Sequence, residues 1–354
     1  MPGQEAGDVV GGVDTHRDTH TAAAVLATTG QLLGVQTFPA TGPGYAQLAR
    51  WLESFGALRI VGVEGTGAYG AGLTRYLTGR QITVVEVDRP DRRTRRARGK
   101  SDPIDAEAAA RAALTGERIS TPKNRDGHLE ALRALRIARR SAVTARKIVA
   151  QQVHALLVTA PEPLRDQLRG RRLPAIITLC APAPDTSPGL TDPTVAVRLA
   201  LHHLAVRYQH LTAEIDQLDT AITGLVNLLN PALLALPGVG PDCAGQLLLT
   251  AGDNPDRLRS EAAFAHLCGV APIPASSGRT DRHRLNRGGD RQANAALYRI
   301  ALSRLRWDPR TQAYKTRRTH QGLSTQDIIR CLKRYLAREI YNTLHHPTTS
   351  TNIP

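Results

Sequence analysis

Val9-Val-Gly-Gly-Val-Asp-Thr-His-Arg-Asp-Thr-His-Thr-Ala-Ala-Ala-Val-Leu26 is the stretch of sequence that decides the fold. Residues 9–14 form a short apolar run that ends in an acid, and residues 21–26 form a second run after a brief polar connection. Residues 32–38 follow with a similar composition. Three short runs of this kind with brief connections predict a meander of neighbouring strands.

The residues that follow alternate between helix and strand patterns. Thr41-Gly-Pro-Gly44 breaks the chain before an amphipathic stretch that ends at Phe55. Residues 59–64 and 82–87 are two further β-branched runs, and residues 71–77 between them have a helical pattern. The order β-β-β-α-β-α-β predicts an α/β domain with a mixed sheet.

From residue 128 to about 230 the pattern is helical, with a proline-rich break over 181–193. Its second half carries a heptad repeat of large apolar residues, which predicts a coiled coil. The repeat consists of Leu204, Leu211, Leu218 and Leu225 with Tyr208, Ile215, Ile222 and Leu229. Residues 135–156 repeat the spacing with smaller side chains and are a candidate antiparallel partner. Closure within one chain and closure between two chains both stay open.

Charge is the strongest compositional signal. The 354 residues include 46 Lys and Arg against 31 Asp and Glu, a net charge of +15 with a pI near 10.4. The excess is concentrated between Arg89 and Lys100 and between Arg279 and Arg318. Two concentrated basic segments predict a nucleic-acid interface. The residues expected to contact nucleic acid are Arg92, Arg93, Arg95, Arg96, Arg98, Lys100, Arg279, Arg282, Arg284 and Arg287.

Other features of the composition exclude functions. Aromatic residues make up only 4% of the chain, which argues against a surface that stacks many single-stranded bases. No apolar run approaches the roughly 18 residues of a membrane span, and no apolar leader begins the chain. We therefore expect a soluble, intracellular protein with no membrane partner.

Four acids stand where a sheet edge can gather them. Asp14 ends the first predicted strand, Glu64 ends the fourth, and Asp102 and Asp105 open a predicted helix. The spacing of three places the last two on one side of that helix. Grouped carboxylates repel one another unless a cation compensates, and their hard oxygen ligands suit Mg²⁺ or Mn²⁺. The pattern predicts a metal site for phosphoryl transfer.

Two glycine motifs are candidates for phosphate binding. Gly65-Thr-Gly-Ala-Tyr-Gly70 has the spacing of a dinucleotide-binding loop, but Glu64 directly before it would repel a pyrophosphate. Leu236-Pro-Gly-Val-Gly240 is a hairpin between predicted helices, and its backbone N–H groups at Gly238 and Gly240 could bind a DNA phosphate.

Several motifs together resemble one family. Val13-Asp14-Thr-His16, Val63-Glu64-Gly-Thr-Gly67 and Lys100-Ser-Asp-Pro-Ile-Asp-Ala106 resemble the DEDD motifs of the insertion sequence 110 family of transposases. In the C-terminal third, Leu236–Gly240 and Leu267-Cys-Gly-Val-Ala-Pro272 resemble further signatures, as do the later Ser276-Ser-Gly278 and Arg287-Gly-Gly-Asp290. The similarity runs from about residue 9 to residue 341.

The resemblance implies a fold and a domain order. It implies an RNase H-fold, RuvC-like catalytic domain over residues 1–125 and a helical coiled-coil region over 126–230. A mainly α-helical transposase domain with a helix-hairpin-helix-like entry would follow over 231–345, with a tail over 346–354.

The resemblance also implies a nucleophile and a set of partners. The family's nucleophile is the serine before the glycine, which maps to Ser277, with the adjacent Ser276 as the alternative. Implied partners are DNA (element ends and target), a structured bridge RNA, and further copies of the chain as dimers and tetramers at the cytoplasmic nucleoid. Two other functions stay open: a junction-type DNA nuclease that cuts with water, and a DNA-binding protein without activity.

Overall fold

A computed structural model describes residues 7–87, 101–122, 127–187, 189–252, 258–276 and 283–345. The chain divides into two compact units. One comprises residues 1–126 with 252–259, and the other comprises residues 127–251 with 260–354.

The first unit is built on a six-stranded sheet with the order β3-β2-β1-β4-β5-β6. Its first three strands pair antiparallel, β1, β4 and β5 run parallel, and β6 returns antiparallel. This confirms the predicted meander and mixed sheet. The meander also excludes a dinucleotide-binding fold, which begins with parallel strands. The strands are β1 (Asp8–Thr15), β2 (Thr19–Leu26), β3 (Leu32–Pro39), β4 (Ala57–Glu64), β5 (Thr83–Val87) and β6 (Ile119–Ser120).

Among the described residues, three helices pack on this sheet: α1 (Gly42–Glu53), α2 (Ala71–Gly79) and α3 (Asp102–Thr115). The Thr41 side chain caps α1 by accepting from the Gly44 N–H. The buried face of α3 consists only of alanines, at 106, 109, 110 and 113. Gly12 on β1 lies directly beneath this face, and a Cβ built there would overlap the backbone of Ala110. Small residues on both sides therefore let α3 lie unusually close to β1.

We expect Gly12→Ala to destabilise the first unit by about 3 kcal/mol, the upper end for overpacking, because the atom that it strikes is backbone. The shift would also move the start of α3 away from β1. Gly42→Ala is the matched control, since nothing lies within 4 Å of its Cβ position. Urea unfolding of the two variants measures the difference, and equal stabilities would refute the close approach.

The second unit is helical at its start. Its two long helices, α4 (Gly127–Thr159) and α7 (Pro193–Leu229), pack along each other, with α5 (Glu162–Leu168) and α6 (Leu173–Cys180) between them in sequence. Ile215 and Ile222 are buried at the contact, as the heptad predicts. The coiled-coil assignment itself stays a prediction.

The residues of α7 that are most buried against α4 are not the four leucines of the predicted heptad. Leu204, Leu211, Leu218 and Leu225 are only half-buried, and Leu201, Ala205 and Val226 complete the buried stripe. Two polar residues explain the offset: Thr212 accepts from Arg146 at 3.3 Å, and Asp219 pairs with Arg139 of α4. These contacts place polar side chains in the interface between α4 and α7. The four leucines therefore lie along the edge of that interface.

The rest of the second unit is compact and mainly helical. Phe264, Leu297, Ile300, Ile328 and Ile340 are fully buried in it. Its elements are α8 (Ala232–Ala235), α9 (Pro241–Ala251), α10 (Glu261–Leu267), β7 (Ile273–Pro274), β8 (His283–Arg284), α11 (Arg291–Trp307), α12 (Pro309–His320) and α13 (Thr325–His345). In the part of the chain that the structure describes, no helix has the length and apolarity that crossing a membrane requires.

One carboxylate joins three helices of the second unit. Asp242, in the first turn of α9, lies 2.7 Å from Arg136 and 3.5 Å from Arg139, both on α4. Arg299 of α11 is 2.7 Å away on the other side. Burial raises the pKa of Asp242, but the hydrogen bond from Arg136 and the three positive charges outweigh it, so the net pKa lies below the ordinary value.

We expect Asp242→Asn to cost about 3 kcal/mol, because it leaves three arginines without their shared counterion. A lowered pKa contributes stability that is present above pH 3.8, the ordinary value, and is lost as the pH falls through the native value. The gap between wild type and variant should therefore close in acid. Urea unfolding at pH 7 and pH 3 tests this, with Asp216→Asn on exposed α7 surface as the control. A gap that does not narrow between pH 7 and pH 3 would contradict the assignment.

Candidate active site

The sheet of the first unit brings two acids to one edge. Asp14 lies at the end of β1 and Glu64 at the end of β4, and the parallel register pairs Val13 with Val63 directly before them. Thr15 donates a hydrogen bond to the backbone carbonyl of Glu64 at 2.7 Å and ties the two strand ends together. The carboxyl ends of parallel strands form a common edge, which is a frequent place for a functional site.

The first turn of α3 supplies the other two acids. Ser101 takes the N-cap position without a side-chain hydrogen bond, and Pro103 occupies the first turn. Asp102 and Asp105 lie in this turn, where the helix dipole favours negative charge. Because α3 lies close on β1, its start reaches the strand edge that carries Asp14.

The tightest group at this edge is Asp14, His16 and Asp102. The Nε2 atom of His16 is 3.2 Å from Oδ2 of Asp14 and 3.2 Å from Oδ1 of Asp102. One ligand atom from each of the three lies within 4.8 Å of the others. The Asp14 side chain is 11% exposed, whereas those of His16 and Asp102 are about half-exposed. Asp14 is therefore buried in the protein, whereas His16 and Asp102 are accessible from solvent.

The electrostatics of the group favour a cation. Burial raises the pKa of Asp14 above its ordinary value, and the negative charges of Asp105 and Asp102 raise it further, although His16 lowers it. A carboxylate that is desolvated next to two others is costly as an anion. A positive charge placed between Asp14 and Asp102 would remove that cost.

The donor set fits a divalent metal ion. Carboxylate oxygens are the ligands that Mg²⁺ and Mn²⁺ prefer, and an imidazole nitrogen within reach suits Mn²⁺ better than Mg²⁺. Asp14 and Asp102 would hold the ion, with His16 as a third ligand or as a hydrogen-bond donor to both carboxylates. A divalent ion there would polarise a phosphoryl oxygen and stabilise the charge that develops in displacement.

The structure gathers the four predicted acids unequally. Asp14 and Asp102 belong to the tight group, and Asp105 is near enough for its charge to raise the pKa of Asp14. Glu64 ends the adjoining strand but is not a member of the group among the described residues. His16 is not among the four residues that the sequence predicts as metal ligands. The only signal for it was its place two residues after the acid that ends β1.

Part of the predicted nucleic-acid interface lies outside the described residues. This applies to Ser277, Arg92, Arg93, Arg95, Arg96, Arg98, Lys100, Arg279 and Arg282. Ser276, Arg284 and Arg287 are described and exposed. Ser276 ends the described segment after β7, and Arg284 lies on β8, which pairs antiparallel with β7.

The predicted glycine hairpin lies between α8 and α9. Gly238 has φ of +72°, which glycine adopts without strain, and Gly240 directly precedes the first residue of α9. Arg304 of α11 donates to the carbonyl of Pro237 at 2.7 Å and fixes the hairpin to the helical core. The place of Gly240 before a helix suits phosphate binding, which remains a prediction.

The motif Arg287-Gly-Gly-Asp290 stabilises the start of α11 and the turn before it. Asp290 caps α11 by accepting from the N–H groups of Gln292 and Ala293, and its other oxygen accepts from Thr250 at 2.7 Å. Gly289, with φ of +81°, lies so close to the turn at Gly269 that a Cβ would strike the carbonyl of Leu267. These contacts hold the two turns beside the β7–β8 hairpin.

Comparison with known proteins gives matches along most of the chain. Residues 11–160 match a family model for DEDD transposases of IS110, described as Transposase. Residues 230–316 match a model described as Transposase IS116/IS110/IS902 family.

Two curated relatives belong to insertion elements. The IS110 uncharacterized 43.6 kDa protein of Streptomyces coelicolor is 33% identical over 135 residues, 36% of this chain and 33% of the relative. The IS900 uncharacterized 42 kDa protein of Mycobacterium paratuberculosis is 28% identical over 166 residues, 45% of this chain and 40% of the relative. The matched regions thus span less than half of either relative.

The acidic group lies in the region that matches the DEDD transposase model, and the helical region after it matches the second transposase model, so both matches point to one class, the DEDD-type transposases. Within that class, the chain belongs to the IS110 family.

Proposed function

We propose that this protein is a transposase that cuts and rejoins DNA strands with a divalent-metal site and a serine nucleophile. The observation that carries the proposal is the meeting of Asp14, His16 and Asp102 at one sheet edge, with Asp105 close by. Mg²⁺ or Mn²⁺ is the expected ion. Glu64, at the end of the neighbouring strand, would complete the acidic set when the nucleic acid binds.

A RuvC-like, RNase H-type fold for the first unit is part of the proposal. The sheet order β3-β2-β1-β4-β5, with an antiparallel meander followed by parallel strands, supports it. In such an arrangement β1 and β4 are central, so acids at their ends lie beside each other in a fixed frame.

The serine step conserves the energy of the broken bond. The Oγ atom of Ser277 forms a bond to the scissile phosphorus as one P–O bond of the DNA backbone breaks. The serine proton passes to a base or to water, and the leaving oxygen becomes a hydroxyl. The arginines near Ser277 in the sequence, including Arg284 and Arg287, would neutralise the phosphate. A second hydroxyl end then displaces the serine, so joining needs no ATP.

Guidance by a bridge RNA and assembly into dimers or tetramers complete the proposal. The two basic segments give enough positive charge for both RNA and DNA backbones. The half-buried leucines of α7 are compatible with a coiled coil that also contacts a second copy.

The test uses the full chain, a plasmid with the element's ends, a target plasmid and the RNA transcribed from the element's non-coding flank. We expect joined products only with Mg²⁺ or Mn²⁺ present, and a protein–DNA adduct that survives denaturation. Metal-dependent cutting without adduct or joining would support the water-using nuclease. Specific DNA binding without any cutting would support the non-enzymatic alternative.

A further inference from the structure

The second unit contains a cavity of about 480 Å³ between the β7–β8 hairpin and α13. Its walls are the turn at Gly269–Pro272, the residues from His283 to Asn286, and one side of α13 from Asp327 to Tyr335. Pockets that hold small ligands have volumes of roughly 300–1,000 Å³. The cavity is therefore large enough for a single nucleotide.

The cavity has an excess of positive charge. Arg284, Arg330, Lys333 and Arg334 line it, against Asp327. Arg330 pairs with Asp327 at 2.6 Å, and Arg334 lies 3.6 Å from Glu261. Within the described ranges, neither Arg284 nor Lys333 has a carboxylate at ion-pair distance. Two of the four cations thus lack a protein counterion there.

Lys333 is held in the wall by a neutral partner. Its Nζ donates to Oδ1 of Asn294 at 2.8 Å, and Nδ2 of Asn294 donates to the carbonyls of Cys268 and Gly269 at 3.0 Å each. Burial lowers the pKa of Lys333, and the charge of Arg330 lowers it further. A half-buried ammonium whose partner among the described residues is a neutral amide is poorly compensated, so an anion that enters the cavity gains from meeting it.

The cavity also has an apolar, aromatic side. Tyr335 is 54% exposed and Leu285 is 55% exposed, although both are large hydrophobic residues. The ring of Tyr314 meets that of Tyr335 edge-on, with 5.8 Å between centroids, and orients it. A ligand that matches both sides must combine a flat apolar group with a negative charge.

We propose that this cavity holds one nucleotide of a nucleic-acid strand, with its phosphate against Lys333 and Arg284 and its base against Tyr335 and Leu285. The inference rests on the proposed function in that nucleic acid is the substrate or guide. The recognised chemistry, a backbone phosphate with an adjoining base, is common to DNA and RNA. Base stacking on an aromatic side chain is tolerant of sequence, so the cavity would position a strand rather than read it.

The test measures the binding of mixed-sequence 12-nucleotide single-stranded DNA and RNA to the full chain. We expect Lys333→Gln to weaken binding about tenfold, which is the usual loss for one charged hydrogen bond, and Tyr335→Leu to do the same through lost stacking. Lys147→Gln on exposed α4, outside both basic segments, is the matched control, with a loss of about twofold or less. Lys333→Arg should restore most of the affinity. The strand type that responds more strongly identifies the source of the nucleotide.

Recovery of binding in Lys333→Arg separates a loss of charge from misfolding, because arginine keeps both the positive charge and a donor group for Asn294. A second measurement uses the unmodified protein: an oligonucleotide that contains 5-iodouracil should photo-crosslink to a peptide carrying Tyr335 or Leu285. Equal weakening by Lys333→Gln and Lys147→Gln, or crosslinks confined to other peptides, would overturn the inference. The plasmid assay tests the proposed transposase function independently. If the wild type joins DNA in that assay, the transposase proposal stands even when the inference about this cavity fails.

Discussion

Asp14→Asn should reduce DNA cutting by at least about a thousandfold, because a metal ligand contributes several kcal/mol of charge stabilisation in the transition state. Asp14 is the most buried member of the acidic group, and its carboxylate faces both His16 and Asp102. The asparagine keeps the size of the side chain but removes the charge. Cutting of a labelled DNA duplex in Mg²⁺ measures the effect.

The same substitution should not destabilise the metal-free protein. A carboxyl group whose pKa is raised in the folded state costs stability above its ordinary pKa, so a neutral replacement removes that cost. We expect the Tm of Asp14→Asn without metal to equal or exceed that of wild type. Mn²⁺ should raise the Tm of wild type but not of the variant.

The control comes from the same strand. Asp8 lies at the other end of β1 and pairs with exposed Arg59 at 2.8 Å. Asp8→Asn should leave cutting unchanged and alter stability by less than about 0.5 kcal/mol. Full activity of Asp14→Asn, or an equal loss in Asp8→Asn, would disprove the acidic site.

The fold of the first unit follows from local pattern. Each apolar run that ends at Asp14, Leu26 or Glu64 is a strand, because short apolar runs bounded by polar turns are typical of strands. The positions of the acids at the strand ends could be predicted for the same reason, because the length of each strand determines which residue lies at the edge of the sheet. The close packing of α3 was not, because it depends on Gly12 meeting alanines about a hundred residues away in the sequence.

Features that depend on contacts between residues far apart in the chain could not be predicted from the sequence. The interface between α4 and α7 is set by Arg139 and Arg146 reaching Asp219 and Thr212 across more than sixty residues, and the heptad of leucines gives no sign of it. Lys333 and Asn294 meet in the same way, on two helices that share no motif. Such contacts arise from the packing of elements rather than from their periodicity.

The second large effect concerns the nucleophile. Ser277→Ala should abolish strand joining and the covalent protein–DNA adduct, with a loss of about 10⁴-fold or more, because it removes the hydroxyl that attacks the scissile phosphorus. Denaturing electrophoresis of the protein with end-labelled DNA measures the adduct. Metal-induced stabilisation should be unchanged, since the acidic group lies on other elements.

Ser276→Ala is the matched control for this prediction, because it removes the same hydroxyl one residue earlier. It should keep the adduct, since the resemblance places the nucleophile directly before Gly278. Loss of the adduct in Ser276→Ala together with its retention in Ser277→Ala would show that Ser276 is the nucleophile. Cutting that continues in both variants, with water-derived ends, would instead show that the carboxylates act on water and that the serines only shape the loop.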